Sequence, residues 1–362
     1  MSSDLLIISP LFYGHAGGAS VYYRLLANSL MERNFSVSII SEKSEGDFDG
    51  EYIGLFPAWA GKDRRLIRDY ISYFYQNIQY FRISSVIKKV APKTVLVHSS
   101  FFNHPGLFRI ILKAIIKKNP HLHYVADVRD RLLPARRIKE LDIFDSIIAC
   151  SENVKNHLRQ NGISEKKIVL IPVIQEQIEL QKKQLIKTLK NYNLNGIKYI
   201  LYVGAVKEDK AVDILLESFL KHVRGIRPDV DLVLIGLMKT ENLRLKALIK
   251  SEGIHYLGNL SRDETLAVMK AASLCVNLSP NEGMPRVSLE AIALKKSVIL
   301  PPNIPEFIEF CSSDIVESRD IRIIGQKIRE KINKEHVTSY PIENHYPNKV
   351  LPMYENTLEL KN

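Results

Sequence analysis

Two glutamates stand eight residues apart in the run Ser279-Pro280-Asn281-Glu282-Gly283-Met284-Pro285-Arg286-Val287-Ser288-Leu289-Glu290, and the residues between them have the makings of an anion site. The apolar run Ser273 to Leu278 ahead of them has strand length and β-branched content, while Pro280 to Gly283 is turn material. A helix is therefore expected to start near Pro285, since proline's fixed φ suits the first helical position and its missing N–H would have no partner there. Met284 is a poor N-cap and no acidic residue occurs from Pro285 to Leu289, so the amides of Arg286, Val287 and Ser288 are predicted to lie open. A helix start that is uncapped, uncharged and preceded by glycine suits a phosphate. Glu282 then lies in the loop, beside whatever the phosphate carries. Glu290, in the second turn, can accept hydrogen bonds from two neighbouring hydroxyls. The competing reading is a helix start with two surface carboxylates.

The elements that would position these groups alternate between strands and helices. In the first half, strands are predicted at Leu5–Ser9, Ser36–Ser41, Thr94–His98, His121–Ala126, Ser146–Ala149 and Ile168–Pro172. Helices are expected over Ala19–Arg33, within Leu66–Val90, over Gly106–Lys118 and from Val154, the last capped by Ser151. Such alternation argues for a parallel, doubly wound sheet, with ligands outside the carboxyl ends of its strands. Those ends carry His98 with Ser99, and the cluster Asp127-Val128-Arg129-Asp130-Arg131. The loop Pro10 to Gly18 joins the first strand to the first helix, and its Gly17-Gly18 pair falls short of a full dinucleotide fingerprint. Gln175 to Asn195 is polar and suits a connection. Strands then follow at Tyr199–Gly204, Asp231–Gly236 and Ile254–Gly258, with a helix over Asp263–Ala272 and a last one over Val350–Leu360. Lys210 falls at or just before a helix N-terminus facing the first of these strand ends.

The central stretch, with Glu-Gly-Met-Pro and Leu-Glu-Ala around its two glutamates, resembles the E-x7-E signature of the retaining GT-B glycosyltransferases of family 4. The resemblance implies an α/β GT-B fold, two Rossmann-like doubly wound domains facing across a cleft. Residues 1–174 would form the acceptor domain, 175–196 the connection, 197–345 the nucleotide-sugar domain, and 346–362 a helix returning to the first domain. It also implies that Glu282 lies by the transferred sugar, that Glu290 binds ribose hydroxyls, and that Gly283, Met284, Pro285, Arg286 and Val287 hold the donor diphosphate. Gly17 and Gly18 match a Gly-Gly that approaches the donor from the first domain. Gly204 and Lys210 match the family's Gly-Arg…Lys-Gly segment, with Ala205 in place of the arginine and Ala211 in place of the second glycine. Arg129 and Asp130 stand where many members carry His-Asp on the acceptor side. With Glu282 and His98 they are the candidate catalytic residues. Prolines in Pro301-Pro302-Asn303-Ile304-Pro305-Glu306 replace a glycine-rich donor loop, and Val173-Ile174-Gln175-Glu176 replaces the usual Asn-Gly-Val-Asp. A charged hydrogen bond contributes roughly 1.5–3 kcal/mol, so losing the arginine lowers donor affinity about ten- to a hundredfold unless Lys207 or Arg286 substitutes for it.

The expected reaction is transfer of a sugar from a UDP- or GDP-linked donor to an acceptor hydroxyl, with no cofactor and no metal, in cell-surface polysaccharide or glycolipid synthesis. A glycoside hydrolase fits less well, because its two carboxylates must flank one bond. An epimerase stays open. The non-enzyme alternative is a GT-B subunit that binds a sugar nucleotide or a partner without turnover, motivated by Ala205, Arg129 and the missing glycines.

The 362 residues suffice for two domains. The net charge of +11 is uneven: residues 62–139 hold 17 Lys and Arg against 4 Asp and Glu, leaving 34 against 36 elsewhere. This basic region includes the aromatic segment Tyr70-Ile71-Ser72-Tyr73-Phe74-Tyr75, followed by Tyr80 and Phe81. Basic and aromatic residues together suit an anionic membrane surface. Without a nucleic-acid motif, nucleic acid ranks below it. A solvated helix face is the plainer reading. The expected acceptor is a glycan or a lipid-linked molecule. Cys150, Cys275 and Cys311 are expected as reduced core thiols, and the location as cytoplasmic, at the inner face of a membrane.

Overall fold

The computed structural model describes residues 3–9, 18–42, 51–56, 81–103, 108–129, 131, 133–332 and 337–361. The chain divides into two compact units, one of Met1–Ile174 with Pro347–Asn362, the other of Gln175–Tyr346.

The first unit follows the order β1 (Leu5–Ile8), α1 (Gly18–Met31), β2 (Val37–Glu42), β3 (Glu51–Phe56), α2 (described over 81–90), β4 (Thr94–His98), α3 (Ser100–Asn103), α4 (Phe108–Lys118), β5 (His123–Val128), α5 (Ala135–Ile138), β6 (Ser146–Ala149), α6 (Glu152–Gln160) and β7 (Ile168–Leu170). Its seven strands lie in the order β3-β2-β1-β4-β5-β6-β7, all parallel. The interior strand β1 reads Leu-Leu-Ile-Ile and every residue is buried, as a parallel strand covered on both faces demands. Leu5 stands in register with Val37 on one side and Thr94 on the other. Ser151 caps α6, its Oγ accepting from the Val154 N–H at 3.3 Å. The edge strand β3 lies in a stretch with acidic residues and an internal glycine, Gly54, and was not anticipated from sequence.

The second unit contains α7 (Lys182–Asn191), β8 (Lys198–Val203), α8 (Val212–Phe219), β9 (Val230–Ile235), α9 (Leu243–Leu248), β10 (Ile254–Tyr256), α10 (Arg262–Ala271), β11 (Leu274–Val276), α11 (Arg286–Ala293), β12 (Val298–Ile299), α12 (Pro305–Cys311) and α13 (Ile321–Ile332). Its five parallel strands run β10-β9-β8-β11-β12. Ile200, Leu232 and Leu274 on neighbouring strands meet Val212, Leu216 and Phe219 of α8 in one fully buried core. Ser261 and Glu264 form a reciprocal capping box at the start of α10. From β8 the chain builds outward to β9 and β10, then returns to β8's other side with β11. The place where the direction of building reverses, between β8 and β11, is where an α/β sheet opens a crevice at its carboxyl edge.

The last helix, α14 (Pro347–Thr357), belongs to the first unit. Thr94 Oγ1 donates to the Leu358 carbonyl at 2.6 Å and His123 Nε2 to that of Thr357 at 3.0 Å. Arg33 pairs with Glu355, and Tyr354 is completely buried. All three cysteines are buried thiols outside any disulfide: Cys275 inside β11, Cys150 just after β6, Cys311 at the end of α12. No helix among the described residues is long and apolar enough to cross a membrane.

Candidate active site

The carboxyl ends of β8 and β9 in the second unit are brought together by glycine. Gly204, just after β8, donates its N–H to the Ile235 carbonyl at 2.9 Å. Gly236, just after β9, has φ +136°, and a Cβ there would lie 2.0 Å from the Gly204 carbonyl oxygen. Only glycine permits that approach. Beyond Gly204 the chain makes a single 3₁₀ turn, Glu208–Lys210, that ends on Ala211 in the left-handed conformation (φ 55°, ψ 30°) before entering α8. This is the position where Ala211 replaces glycine. The turn is clasped from outside: Thr240 Oγ1 donates to Glu208 Oε1 at 2.6 Å, which holds that carboxyl below its usual range, and accepts from the Asn242 N–H at 3.0 Å. Lys210, the last residue of the turn, reaches Glu282 with Nζ 2.7 Å from Oε1. Two residues 72 positions apart, each singled out from sequence, thus meet at the switch point.

The loop from β11 to α11 is fixed at both ends. Asn277 Oδ1 accepts from the Ser279 N–H at 3.0 Å and its Nδ2 donates to Ser288 Oγ at 3.3 Å. Asn303 Nδ2 donates to the Glu282 carbonyl at 3.3 Å. The helix begins one residue later than expected. Pro285 occupies the N-cap with extended backbone (φ −75°, ψ 112°), and its carbonyl accepts from the N–H groups of Ser288 at 3.0 Å and Leu289 at 3.2 Å. The Ser288 amide is therefore taken, and the open first-turn amides reduce to those of Arg286 and Val287. No side chain caps the helix and no acid occupies its first turn, so its positive end stays uncompensated there.

Glu290 is buried on α11, 8% exposed, between two guanidinium groups. Arg286, one turn earlier, places Nη2 3.4 Å from Glu290 Oε1. Arg262, at the start of α10, places Nε 3.7 Å from the same oxygen, and its Nη1 lies 2.7 Å from Glu176 Oε2. Burial pulls the Arg286 guanidinium below its usual range while Glu290 acts in the opposite sense. Arg286 Nη1 and Arg262 Nε make no hydrogen bond among the described residues. A carboxylate acceptor flanked by spare N–H donors suits a vicinal diol, whose hydroxyls each donate and accept. Arg262 and Glu176 carried no signal in the sequence, since nothing in their spacing ties them to Glu290; Thr240, Asn277 and Asn303 escaped for the same reason.

The remaining candidates are distributed differently. Lys207, one of the two stand-ins for the absent arginine, pairs with Asp209 at 2.6 Å on an exposed turn. The other, Arg286, is engaged with Glu290. Ala205 offers its carbonyl to the Tyr202 hydroxyl at 2.9 Å. In the first unit, Arg129 turns inward. Its Nε lies 2.8 Å from Oδ1 of Asp127, which is fully buried, its guanidinium stacks 3.6 Å from the Tyr22 ring centroid, and it donates to the Tyr22 and Tyr354 hydroxyls. That arrangement is a buried ion pair at the end of β5, with Asp127 as the partner. His98, at the end of β4, is buried against Tyr23, and its Nδ1 accepts from the Ser100 N–H at 3.2 Å. Gly18 opens α1. Gly17, Asp130 and the aromatic segment Tyr70 to Tyr80 lie outside the described residues.

A family described as "Glycosyl transferases group 1" matches residues 197–333, and one described as "Glycosyltransferase Family 4" matches residues 16–173. No curated protein matches the chain in sequence. Among solved structures, a glycosyltransferase from Rickettsia africae superposes with a TM-score of 0.73 at 20% identity, covering 99% of this chain and 100% of that one. Sucrose-phosphate synthase from Thermosynechococcus elongatus gives 0.72 at 16% identity, over 98% and 96% of the two chains. Anabaena HepE, in complex with UDP and glucose, gives 0.74 at 13% identity, over 99% and 100%. At these identities the likeness establishes the fold, two Rossmann-like units of GT-B type. The two family matches between them span most of both units, and the chain belongs to the group 1, family 4 glycosyltransferases.

Proposed function

We propose that the protein transfers a sugar from a nucleotide-diphosphate donor to an acceptor hydroxyl with retention of anomeric configuration. The observation that carries this reading is the meeting of Lys210 with Glu282 at the carboxyl edge of β8, in the unit that also holds the uncapped start of α11. When the anomeric C–O bond breaks, its electron pair stays on the diphosphate. A cation, two open amides and a helix dipole are suited to hold that charge as it forms. Glu290 between Arg286 and Arg262 is suited to the ribose diol, and Glu282 to the sugar. The UDP and glucose bound to HepE make UDP-glucose the first donor to try, with GDP-sugars next.

The test is thermal stability with UDP, GDP and their sugar derivatives, each variant measured against its own ligand-free baseline. Ligand at 100 times its dissociation constant stabilises the fold by about 2.7 kcal/mol. The shift is expected with one nucleotide and is expected to vanish in Glu290→Ala. Absence of a shift with every nucleotide would remove the reading.

A second reading, a subunit that binds the donor without turnover, draws on Ala205 and on the engagement of Lys207 and Arg286 with carboxylates of their own. Release of free nucleoside diphosphate in the presence of acceptor separates the two.

For the acceptor we propose a glycan or lipid-linked molecule met at an anionic membrane surface, on the cytoplasmic side. Helix α2 exposes Phe81 with Arg82 and Lys88, and α4 exposes Ile110 with Lys117. Each cation near such a surface contributes about 1 kcal/mol. Reversing Arg82, Lys88 and Lys117 to glutamate should abolish flotation with phosphatidylglycerol vesicles, and undiminished flotation would count against the surface.

A further inference from the structure

Arg262 is the first residue of α10, directly after the N-cap Ser261. A cation there meets the positive end of the helix and gains nothing from it, so what holds the side chain must come from elsewhere. Two carboxylates do so. Arg262 Nη1 lies 2.7 Å from Glu176 Oε2, a hydrogen-bonded ion pair, while its Nε stops 3.7 Å from Glu290 Oε1, beyond hydrogen-bond reach. The backbone around Glu176 is fixed in turn: the Gln175 N–H donates to the His345 carbonyl at 2.8 Å, and Gln175 Nε2 donates to the Glu176 carbonyl at 2.7 Å. The Glu176 side chain is 40% exposed and that of Glu290 10%. The guanidinium is thus drawn to the outer carboxylate and held just short of the inner one.

We infer that Glu176 is a positioning residue for the ribose site: by holding Arg262, it keeps that guanidinium from closing onto Glu290. The inference rests on the donor-binding reading above, in which Glu290 takes the ribose hydroxyls. A guanidinium and a diol compete for the same lone pairs of a carboxylate, and the charged donor makes the stronger bonds. Arg286 Nη2 already donates to Oε1 at 3.4 Å. Were Arg262 to move the remaining distance, it would form a fork onto the carboxylate and leave the ribose fewer acceptors. Held at 3.7 Å, it still helps to neutralise a carboxylate that is almost wholly buried. Its Nε–H, which makes no hydrogen bond among the described residues, stays available to a ribose oxygen. Glu176 acts on the ribose only through Arg262.

Calorimetric titration of wild type, Glu176→Ala, Arg262→Met and the double variant tests this, with UDP and GDP and with the 2′,3′-dideoxy form of whichever binds. Glu176→Ala should weaken the ribonucleotide about fivefold, the worth of one hydrogen bond. It should change the dideoxy nucleotide, which brings no hydroxyl to Glu290, by less than about twofold, whereas general damage to the fold would weaken both alike. Arg262→Met has no guanidinium to hold, so adding Glu176→Ala to it should change ribonucleotide affinity by less than about twofold. This second comparison decides the matter where the dideoxy form binds too weakly to read. Glu176→Gln, which keeps an acceptor for Arg262, should recover part of the loss. Unchanged ribonucleotide binding by Glu176→Ala, equal weakening of both nucleotides, or weakening that persists without Arg262 overturns the inference and leaves the donor site standing. Failure of the wild type to bind either nucleotide overturns both.

Discussion

Replacing Ala211 with glycine probes the turn that presents Lys210, and its consequence can be worked out from the backbone. Ala211 is buried and sits at φ 55°, ψ 30°, a conformation that costs a residue with a Cβ about 1–2 kcal/mol and glycine nothing. Against that relief stand two losses. Glycine's freer unfolded chain costs about 0.4–1 kcal/mol, and removing the buried methyl about 0.8 kcal/mol. The net change is close to zero. The same substitution at Ala267, fully buried in the middle of α10 with no left-handed strain, loses about 1 kcal/mol of helix propensity and about 0.8 kcal/mol of burial. Two chemically identical changes should therefore differ by about 2 kcal/mol. In a domain of this size that separates their unfolding midpoints by about 4–8 °C, readable by circular dichroism or calorimetry. Equal losses of stability for Ala211→Gly and Ala267→Gly would refute the strain argument. Nucleotide affinity should survive in Ala211→Gly, since the turn, its clasp and Lys210 all remain.

Arg129→Met should take its cationic partner from the fully buried Asp127, which keeps the hydrogen bond from the Tyr23 hydroxyl, and destabilise the first unit by about 3–5 kcal/mol, with part of the loss recovered by adding Asp127→Asn; a single variant as stable as wild type would remove Arg129 from its structural role. Asp320 caps α13 through the Arg322 N–H and is held at about 2 by hydrogen bonds from Arg322. A folded value below the unfolded value of about 3.9 means its contribution is present above pH 4 and lost as pH falls towards 2. The gap in thermal midpoint between wild type and Asp320→Asn should accordingly close over that window, and a gap independent of pH would contradict the assignment. The three buried thiols, with Cys275 pushed up to about 12 by burial, should resist iodoacetamide at pH 8 in the native protein and take three labels once unfolded, as read by mass spectrometry; rapid native labelling would show that the core is more open than it is drawn.

How far the sequence carried the reading differs between the two units for physical reasons. A buried parallel strand must be apolar along its whole length, so Leu5 to Ile8, Thr94 to His98 and Ser146 to Ala149 were plain as strands. The edge strand β3 carries no such requirement, and with its glutamate and glycine it has no continuous apolar run to mark it. The start of α11 was legible because proline, glycine and the absence of acids are local signals. Its displacement by one residue was not, since only the backbone shows that the Pro285 carbonyl turns into the helix. Lys210 and Glu282 were each legible, but their pairing across 72 residues was not, because parallel topology alone brings the ends of β8 and β11 together.

The same contrast explains why Arg129 was ambiguous. A basic residue at a strand end has two fates: it faces the crevice, or it is drawn back by acceptors from elements the local sequence does not name. For Arg129 those acceptors are Asp127, two residues away, Tyr22 on α1, and Tyr354 on α14, which is 225 residues distant. The last belongs to a helix that rejoins this unit only after the whole of the second has been built. The cation that holds the C-terminal helix in place and the cation proposed to hold the donor both stand near a carboxylate at the carboxyl edge of a parallel sheet. What distinguishes them is burial. The Arg129–Asp127 pair is closed over by two tyrosines, so no ligand can exchange into it without breaking the core. The Lys210–Glu282 pair stays partly open to solvent, and an ion pair that a ligand can reach is one that a ligand can replace.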